Sequence, residues 1–289
     1  MKAPPFHYVK PDSLAEVFEL LAEHGDAAEI LAGGQSLMPA LHLRLSQPAL
    51  LIDINGIDAL AGIDCDGEAV RIGALVRHGE LLRSPVVRER LAVIARAMPH
   101  VAHVAIRNRG TFGGSIAYAD PAAELPACML ALDATLVVAS ARGRREIPAA
   151  DFFLGLYETA RAPDELLLEA RVPADPPARV SAFQELSRRH GDFAIVGLAA
   201  TASRGQRGLE RVRLAFFGCE DRAKLAHGAA AAASGRRLDA AAIDAAVAAL
   251  ADDLDPVANL LGGAATKRHL AGVLARRALA ELAGGSGHA

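Results

Sequence analysis

The sequence predicts an α+β protein built in three stretches, and three observations carry that prediction. Short apolar runs alternate with amphipathic helical runs through residues 1–56. Three prolines crowd into "VPADPPARV" (Val172–Val180), a natural boundary because proline stiffens the chain and removes a backbone donor. Beyond it, three strand-like runs follow one another directly, and three helical runs close the chain. The expected units are residues 1–56, 57–175 and 178–289.

Each element has a local reason. "SLAEVFELLAEHG" (Ser13–Gly25) places Leu14, Val17, Leu20 and Leu21 on one helical face. Ser13 and Glu16 read as a capping box and Gly25 as the stop. "EILAGG" is a short strand that runs into a glycine pair. "SLMPALHLRL" reads as a second helix, with Ser36 as N-cap and Pro39 in the first turn, where a missing N–H costs little. "ALLIDI" (Ala49–Ile54) is another strand. In the middle stretch, "AVRIGALV" (Ala69–Val76) reads as a strand and "SPVVRERLAVIARAM" (Ser84–Met98) as one helix begun by Ser84 and Pro85. "ATLVVAS" and "ELLLEARVP" are sheet strands. After the prolines, "SAFQELSRR", "AIVGLAATAS" and "RVRLAFFGC" predict a three-stranded antiparallel meander. Helices are expected over Arg222–Ala233, Asp239–Ala251 and Thr266–Ala283, and Gly284–Ala289 reads as a frayed end.

The bulk numbers exclude several classes. A chain of 289 residues buries roughly 75% of its unfolded surface, so it needs no staples. A formal charge of −3, with arginines scattered among acids, leaves no electrostatic footprint for nucleic acid. Cys65, Cys128 and Cys219 are sparse, odd in number and far apart, which points to a reducing compartment and no disulfide framework. No Cys-x-x-Cys occurs, so the chain's own cysteines hold neither an iron–sulfur cluster nor structural zinc. No apolar leader and no run of about 18 apolar residues is present, so the expected protein is cytoplasmic, without a membrane span. His100 and His103 have His-x-x-His spacing, but no third ligand accompanies them, and they are not read as a metal site.

The chemistry concentrates in two glycine-rich elements, "AGGQS" (Ala32–Ser36) and "RGTFGGS" (Arg109–Ser115). Neither is G-x-G-x-x-G nor G-x-x-x-x-G-K-[ST]. Adjacent glycines let the backbone turn tightly and approach a ligand. Successive N–H groups in such a turn converge on an anion, Ser36 and Ser115 add hydroxyls, and a helix start adds partial positive charge. Two such nests facing each other would share one diphosphate. The competing reading is that each pair is a plain turn, as Gly262–Gly263 is read here.

Longer stretches resolve that choice by resemblance. "LAGGQSLMPALHLRL…LLIDIN" and "IRNRGTFGGSIAYADPAAELPA" resemble the FAD-binding medium subunits of the molybdenum hydroxylases. The likeness is strongest to the medium subunits of carbon monoxide dehydrogenase and of bacterial N-heterocycle hydroxylases, and weaker to the flavin domain of xanthine dehydrogenase. "SRRHGDFAIVG" and "KRHLAGVLARRAL" resemble the C-terminal domain of the same family, so the likeness covers nearly the whole chain.

The resemblance implies a two-part FAD-binding domain of the vanillyl-alcohol-oxidase (PCMH) type, followed by a C-terminal domain of a three-stranded sheet with helices. It implies FAD, with Ala32, Gly33, Gly34, Gln35, Ser36 and Leu37 around the diphosphate and Thr111, Gly113, Gly114 and Ser115 on its other side. Asp120 and Glu124 become acceptors for sugar hydroxyls, with helix capping as the competing role. Leu167 or Leu168 matches a residue near the adenine, where a core role explains a leucine equally. Gln184 stands where the xanthine dehydrogenase pattern has a lysine near the flavin ring. Asp192 and Phe193 lie in the loop that covers one ring face. No residue of this chain is expected to be catalytic. The implied partners are a large subunit with the molybdenum cofactor and a small subunit with two [2Fe–2S] clusters, in a dimer of heterotrimers. Electrons would enter from the small subunit and leave to an external acceptor. A self-contained FAD oxidase or dehydrogenase of the same fold is the alternative.

Overall fold

The computed structural model describes residues 2–176 and 178–284. Apart from Gly284, the end expected to fray lies outside these residues. The first unit is a three-stranded parallel sheet with Leu50–Asp53 between His7–Val9 and Ala28–Leu31. The helix Leu14–His24 covers it, burying Val17 and Leu21 against Leu50 and Ile52. Ser13 Oγ accepts the Glu16 N–H at 3.3 Å, but the Glu16 carboxylate takes the N–H of Asp12, one residue earlier than a capping box requires. The strand His7–Val9 escapes periodicity because it is three residues long and largely exposed; pairing alone makes it.

The second unit is a five-stranded antiparallel sheet in the order Ile63–Cys65, Ala69–Gly73, Leu166–Pro173, Thr135–Ser140, Gly143–Pro148. The helices Phe112–Tyr118 and Glu124–Ala131 pack into its core. The stretch Ser84–Met98 is two helices, Pro85–Arg90 and Ala92–Ala97, rather than one. Leu91 breaks them with φ −139° and ψ 60°. The Ala92 N–H freed at the break donates to the Asp175 carboxylate at 2.9 Å, so a residue far away in sequence stabilises the interruption.

The third unit is an antiparallel meander of Arg179–Ser187, Ala194–Gly205 and Gly208–Phe217, extended by a fourth strand, Lys224–Leu225. That strand occupies part of the expected Arg222–Ala233 helix, which starts only at His227. Helices Ala240–Asp253 and Ala264–Leu282 follow. Side chains alternate along the strands. Ala182, Leu198, Leu214 and Phe216 face the helices, while Phe183, Ala199, Ala215 and Phe217 enter the core of the second unit. The second and third units therefore share one apolar layer. Among the described residues no helix is long and apolar enough to cross a membrane.

Candidate cofactor site

The strand Ala28–Leu31 runs out into Ala32, Gly33, Gly34, Gln35 and Ser36, and the helix Leu37–His42 begins directly after. That helix is shorter than expected; Arg44 turns at φ +59° and Leu45 is left 79% exposed. Gly34 has φ +69°, a conformation that side chains resist. The N–H groups of Gly33, Gly34, Gln35, Ser36 and Leu37 find no acceptor among the described residues; the next one, on Met38, donates to Gly34 O at 3.1 Å. Ser36 sits at the N-cap position but its hydroxyl caps nothing. Gly33, Gly34 and Gln35 wall a cavity of about 510 Å³, together with Asp53, Asn55 and Arg109, while Ser36 and Leu37 lie outside its wall. Arg109 is exposed and forms no ion pair among the described residues. Five consecutive backbone donors lack acceptors, and the first three of them share the cavity wall with Arg109, which is the arrangement an anion would need.

The second element behaves differently, and the two-nest expectation is corrected here. Gly113 and Gly114 lie in the first turn of the helix Phe112–Tyr118, with Thr111 as N-cap. Neither has a positive φ. Their amides are already used: Phe112 N–H to Val76 O, Gly113 N–H to Ala74 O, Gly114 N–H to Thr111 Oγ1 and Ser115 N–H to Thr111 O. Glycine is needed for close approach within the protein. A Cβ on Gly113 would stand 2.5 Å from the Ala74 Cβ, and one on Gly114 2.7 Å from Thr111 Oγ1. What remains for a ligand is the hydroxyl hydrogen of Thr111 and the half-buried Ser115.

The two elements touch. A Cβ on Gly33 would meet Arg109 O at 2.5 Å and Gly110 Cα at 2.8 Å. Arg77 ties the contact together, donating one Nη to Arg109 O and the other to Asn55 Oδ1 at 2.6 Å. Asn55 passes the link on to Ala32 O at 2.8 Å. Neither residue was singled out from the sequence; the signal for Asn55 was its place at the end of "LLIDIN". Beneath, His78 is buried and its Nε2 bonds Thr111 O at 2.9 Å, while its Nδ1 has no partner. Burial pushes the imidazole down to about 4, so it is neutral and carries its proton on Nε2. Between the ordinary histidine value and 4, the unfolded chain binds the extra proton, so stability falls as pH falls through that window. Urea unfolding at pH 7 and 4.5 should show His78→Gln losing less stability on acidification than the parent; equal losses would contradict it.

The remaining expected residues divide. Asp120 turns onto Ala122 N–H at 2.8 Å and is raised by burial. It does not cap the next helix, whose N-cap is Ala123 and whose first residue is Glu124. Burial first, then Asp120, push the Glu124 carboxyl up to about 7. Tyr118 and Tyr157 pack with ring centroids 4.9 Å apart and planes tilted by 49°, beside Asp120, an aromatic pair the sequence reading missed. Leu167 and Leu168 are both buried, on opposite faces of their strand and in separate cores. Gln184 turns away from the first two units: its amide donates to Glu281 Oε2 of the last helix at 3.0 Å. Asp192 accepts the N–H of Phe193 at 3.0 Å, and Phe193 is 62% exposed, so that ring is outside the core.

Comparison with known proteins places this geometry. The family described as "FAD binding domain in molybdopterin dehydrogenase" matches residues 4–175, and "CO dehydrogenase flavoprotein C-terminal domain" matches residues 181–282. The chain belongs to the FAD-binding medium subunits of the molybdenum hydroxylases. Among its curated relatives, the 6-hydroxypseudooxynicotine dehydrogenase complex subunit alpha of Paenarthrobacter nicotinovorans is 40% identical over 97% of this chain and 95% of its own length. The solved carbon monoxide dehydrogenase of Hydrogenophaga pseudoflava lacking the Mo-pyranopterin moiety superposes with a TM-score of 0.94 at 39% identity, covering 96% and 97% of the two chains. Quinoline 2-oxidoreductase from Pseudomonas putida 86 gives 0.93 at 35% identity over the whole of both chains. As a medium subunit of this family, the chain is an oxidoreductase subunit and its cofactor is FAD.

Proposed function

We propose that this medium subunit is a cytoplasmic electron carrier in a dimer of heterotrimers. It takes electrons from a small [2Fe–2S] subunit, serving a large molybdenum-cofactor subunit, and passes them to an external acceptor. The observation that carries the reading is the run of unsatisfied amides from Gly33 to Leu37 beside Arg109. The free donors of Gly33, Gly34 and Gln35 at the cavity, continued by Ser36 and Leu37, and the Arg109 cation suit a diphosphate, so the residues present fit FAD.

In this reading Gly33 to Leu37 would donate to the diphosphate, and Thr111 and Ser115 would add hydroxyls from the facing element. Asp120 and Glu124 would accept the sugar hydroxyls. Phe193, free of the core, would shield one ring face from water. Bound FAD supplies reversible uptake of electrons, and the protein positions it and tunes its potential. Gln184 drops out of the proposed contacts because its amide is committed to Glu281. Residues 1–56 and 57–175 would form the cofactor domain and 178–289 the flavoprotein C-terminal domain.

The purified chain should carry stoichiometric FAD by absorbance, and a colourless chain that cannot be reconstituted would overturn the reading. Peroxide formation by the lone chain with a small substrate would replace it with a self-contained oxidase. Phe193→Ala should change reoxidation by acceptors while leaving FAD content unchanged; stopped-flow reoxidation identical to the parent would remove Phe193 from the ring.

A further inference from the structure

The proposed cofactor contacts leave one buried cation without a task. Lys267 stands near the start of the helix Ala264–Leu282 and is 1% exposed. Both settings work against it. Burial costs a cation its hydration, and the start of a helix carries partial positive charge. The next residue, Arg268, reaches Asp255 at 3.6 Å, but Lys267 forms no ion pair among the described residues. Its ammonium donates there to one acceptor, Gly218 O, at 2.8 Å. An apolar side chain of similar volume would pack at this place without either cost. The stability of the helix therefore does not account for the lysine; its acceptor does.

Gly218 is a junction of three segments. It follows the strand Gly208–Phe217 and has φ +74°. Its N–H donates to Pro121 O at 2.7 Å, inside the turn where Asp120 accepts the Ala122 N–H. A Cβ on Gly218 would stand 3.0 Å from Ala194 O and 3.0 Å from Ile195 O, the two residues that follow Phe193. Conformation and space both hold this position to glycine. Its carbonyl thus takes a bond from the last helix, and its amide gives one to the second unit. Gly218 is buried, so without Lys267 its carbonyl has no water to turn to, and an unpaired buried acceptor favours a shift of the local backbone.

We propose that Lys267 is a positioning residue of the cofactor site: acting through Gly218, it fixes the Asp120–Glu124 segment of the second unit against the Phe193 loop of the third. The role toward the cofactor rests on the function proposed above; the strut from Lys267 through Gly218 to Pro121 does not. Lys267 touches no ligand in this reading. It sets the spacing between two segments that would meet the cofactor from different units.

Hydrogen exchange of the full FAD-free chain tests the strut. In the parent, the Gly218 amide should exchange as slowly as the strands Ala194–Gly205 and Gly208–Phe217. Exchange as fast as that of the exposed turn at Ala141–Arg142 overturns the strut, and this measurement stands even if a variant misfolds. Lys267→Met keeps most of the side-chain volume and loses the donor. It should speed exchange around Gly218 and Asp120–Glu124 and leave the Leu14–His24 helix unchanged. FAD titration should find Lys267→Met about tenfold weaker than the parent, the change that 1.4 kcal/mol brings. Gly218→Ala disturbs the same junction from its other end, so the double variant should bind within about 2-fold of the weaker single one. Faster exchange spread evenly over the chain, or losses of affinity that add in full, reduce Lys267 to general packing and overturn the proposal. If the parent itself binds no FAD, the role toward the cofactor falls with the proposed function, and exchange still judges the strut. If exchange rises locally while FAD affinity stays unchanged, only the positioning role falls.

Discussion

Gly33→Val is expected to empty the chain of FAD and to lower its melting temperature in the same step. The cause lies in the protein rather than in the ligand. A Cβ at residue 33 would overlap Arg109 O and Gly110 Cα, both backbone atoms that cannot rotate away. The two glycine-rich elements must separate, and with them the cradle and Arg109. Overpacking of this kind costs about 3 kcal/mol, at the upper end of its usual range because backbone must move. Gly34 makes a useful contrast. Its extra atoms would meet only the Leu31 and Met38 side chains, so its penalty comes mainly from φ +69°. Gly263→Ala is the control: no atom lies within 4 Å of its would-be Cβ, and the change should stay within about 0.5 kcal/mol. Flavin content and calorimetric melting of the three variants check the order. A Gly33→Val protein that keeps both its FAD and its melting point would disprove the contact.

Arg77→Ala should weaken FAD binding about 100-fold. Arg77 donates to Arg109 O and to Asn55 Oδ1, and so links the second element to the strand end that launches the first. Hydrogen bonds from a charged donor contribute about 1.5–3 kcal/mol each, and their loss leaves two acceptors unpaired. About 3 kcal/mol of this total should appear in binding, because the cradle loses its shape before the fold fails. Lysine should not restore it, since one ammonium cannot reproduce the forked geometry of a guanidinium. Titration with FAD followed by fluorescence quenching decides the matter: an affinity within 3-fold of the parent would show that Arg77 is dispensable.

Much of this fold was legible because it is local. The Leu14–His24 helix and the three long C-terminal strands follow from spacing and turn residues within one window. What the sequence concealed depends on residues far apart. The break at Leu91 requires Asp175, and Lys224–Leu225 becomes a strand because Gly208–Phe217 presents it an open edge. The site shows the same division. The loop at Ala32–Ser36 was readable as a glycine turn before a helix. The Arg109–Ser115 loop has similar letters, yet its amides are spent on Val76, Ala74 and Thr111, partners that no local pattern names. Arg77 and Asn55 escaped notice because their importance is set by what surrounds them.

The apolar layer joining the C-terminal sheet to the middle of the molecule also constrains how the prosthetic group gets in. Domains separated by a thin polar seam can swing open on a hinge, but a continuous hydrophobic junction resists that motion. Phe183, Ala199, Ala215 and Phe217 interlock with the core around the Glu124–Ala131 helix, so parting them would expose that helix to water. Any opening that admits the prosthetic group is therefore expected at the Gly33–Arg109 contact, which lies outside that layer.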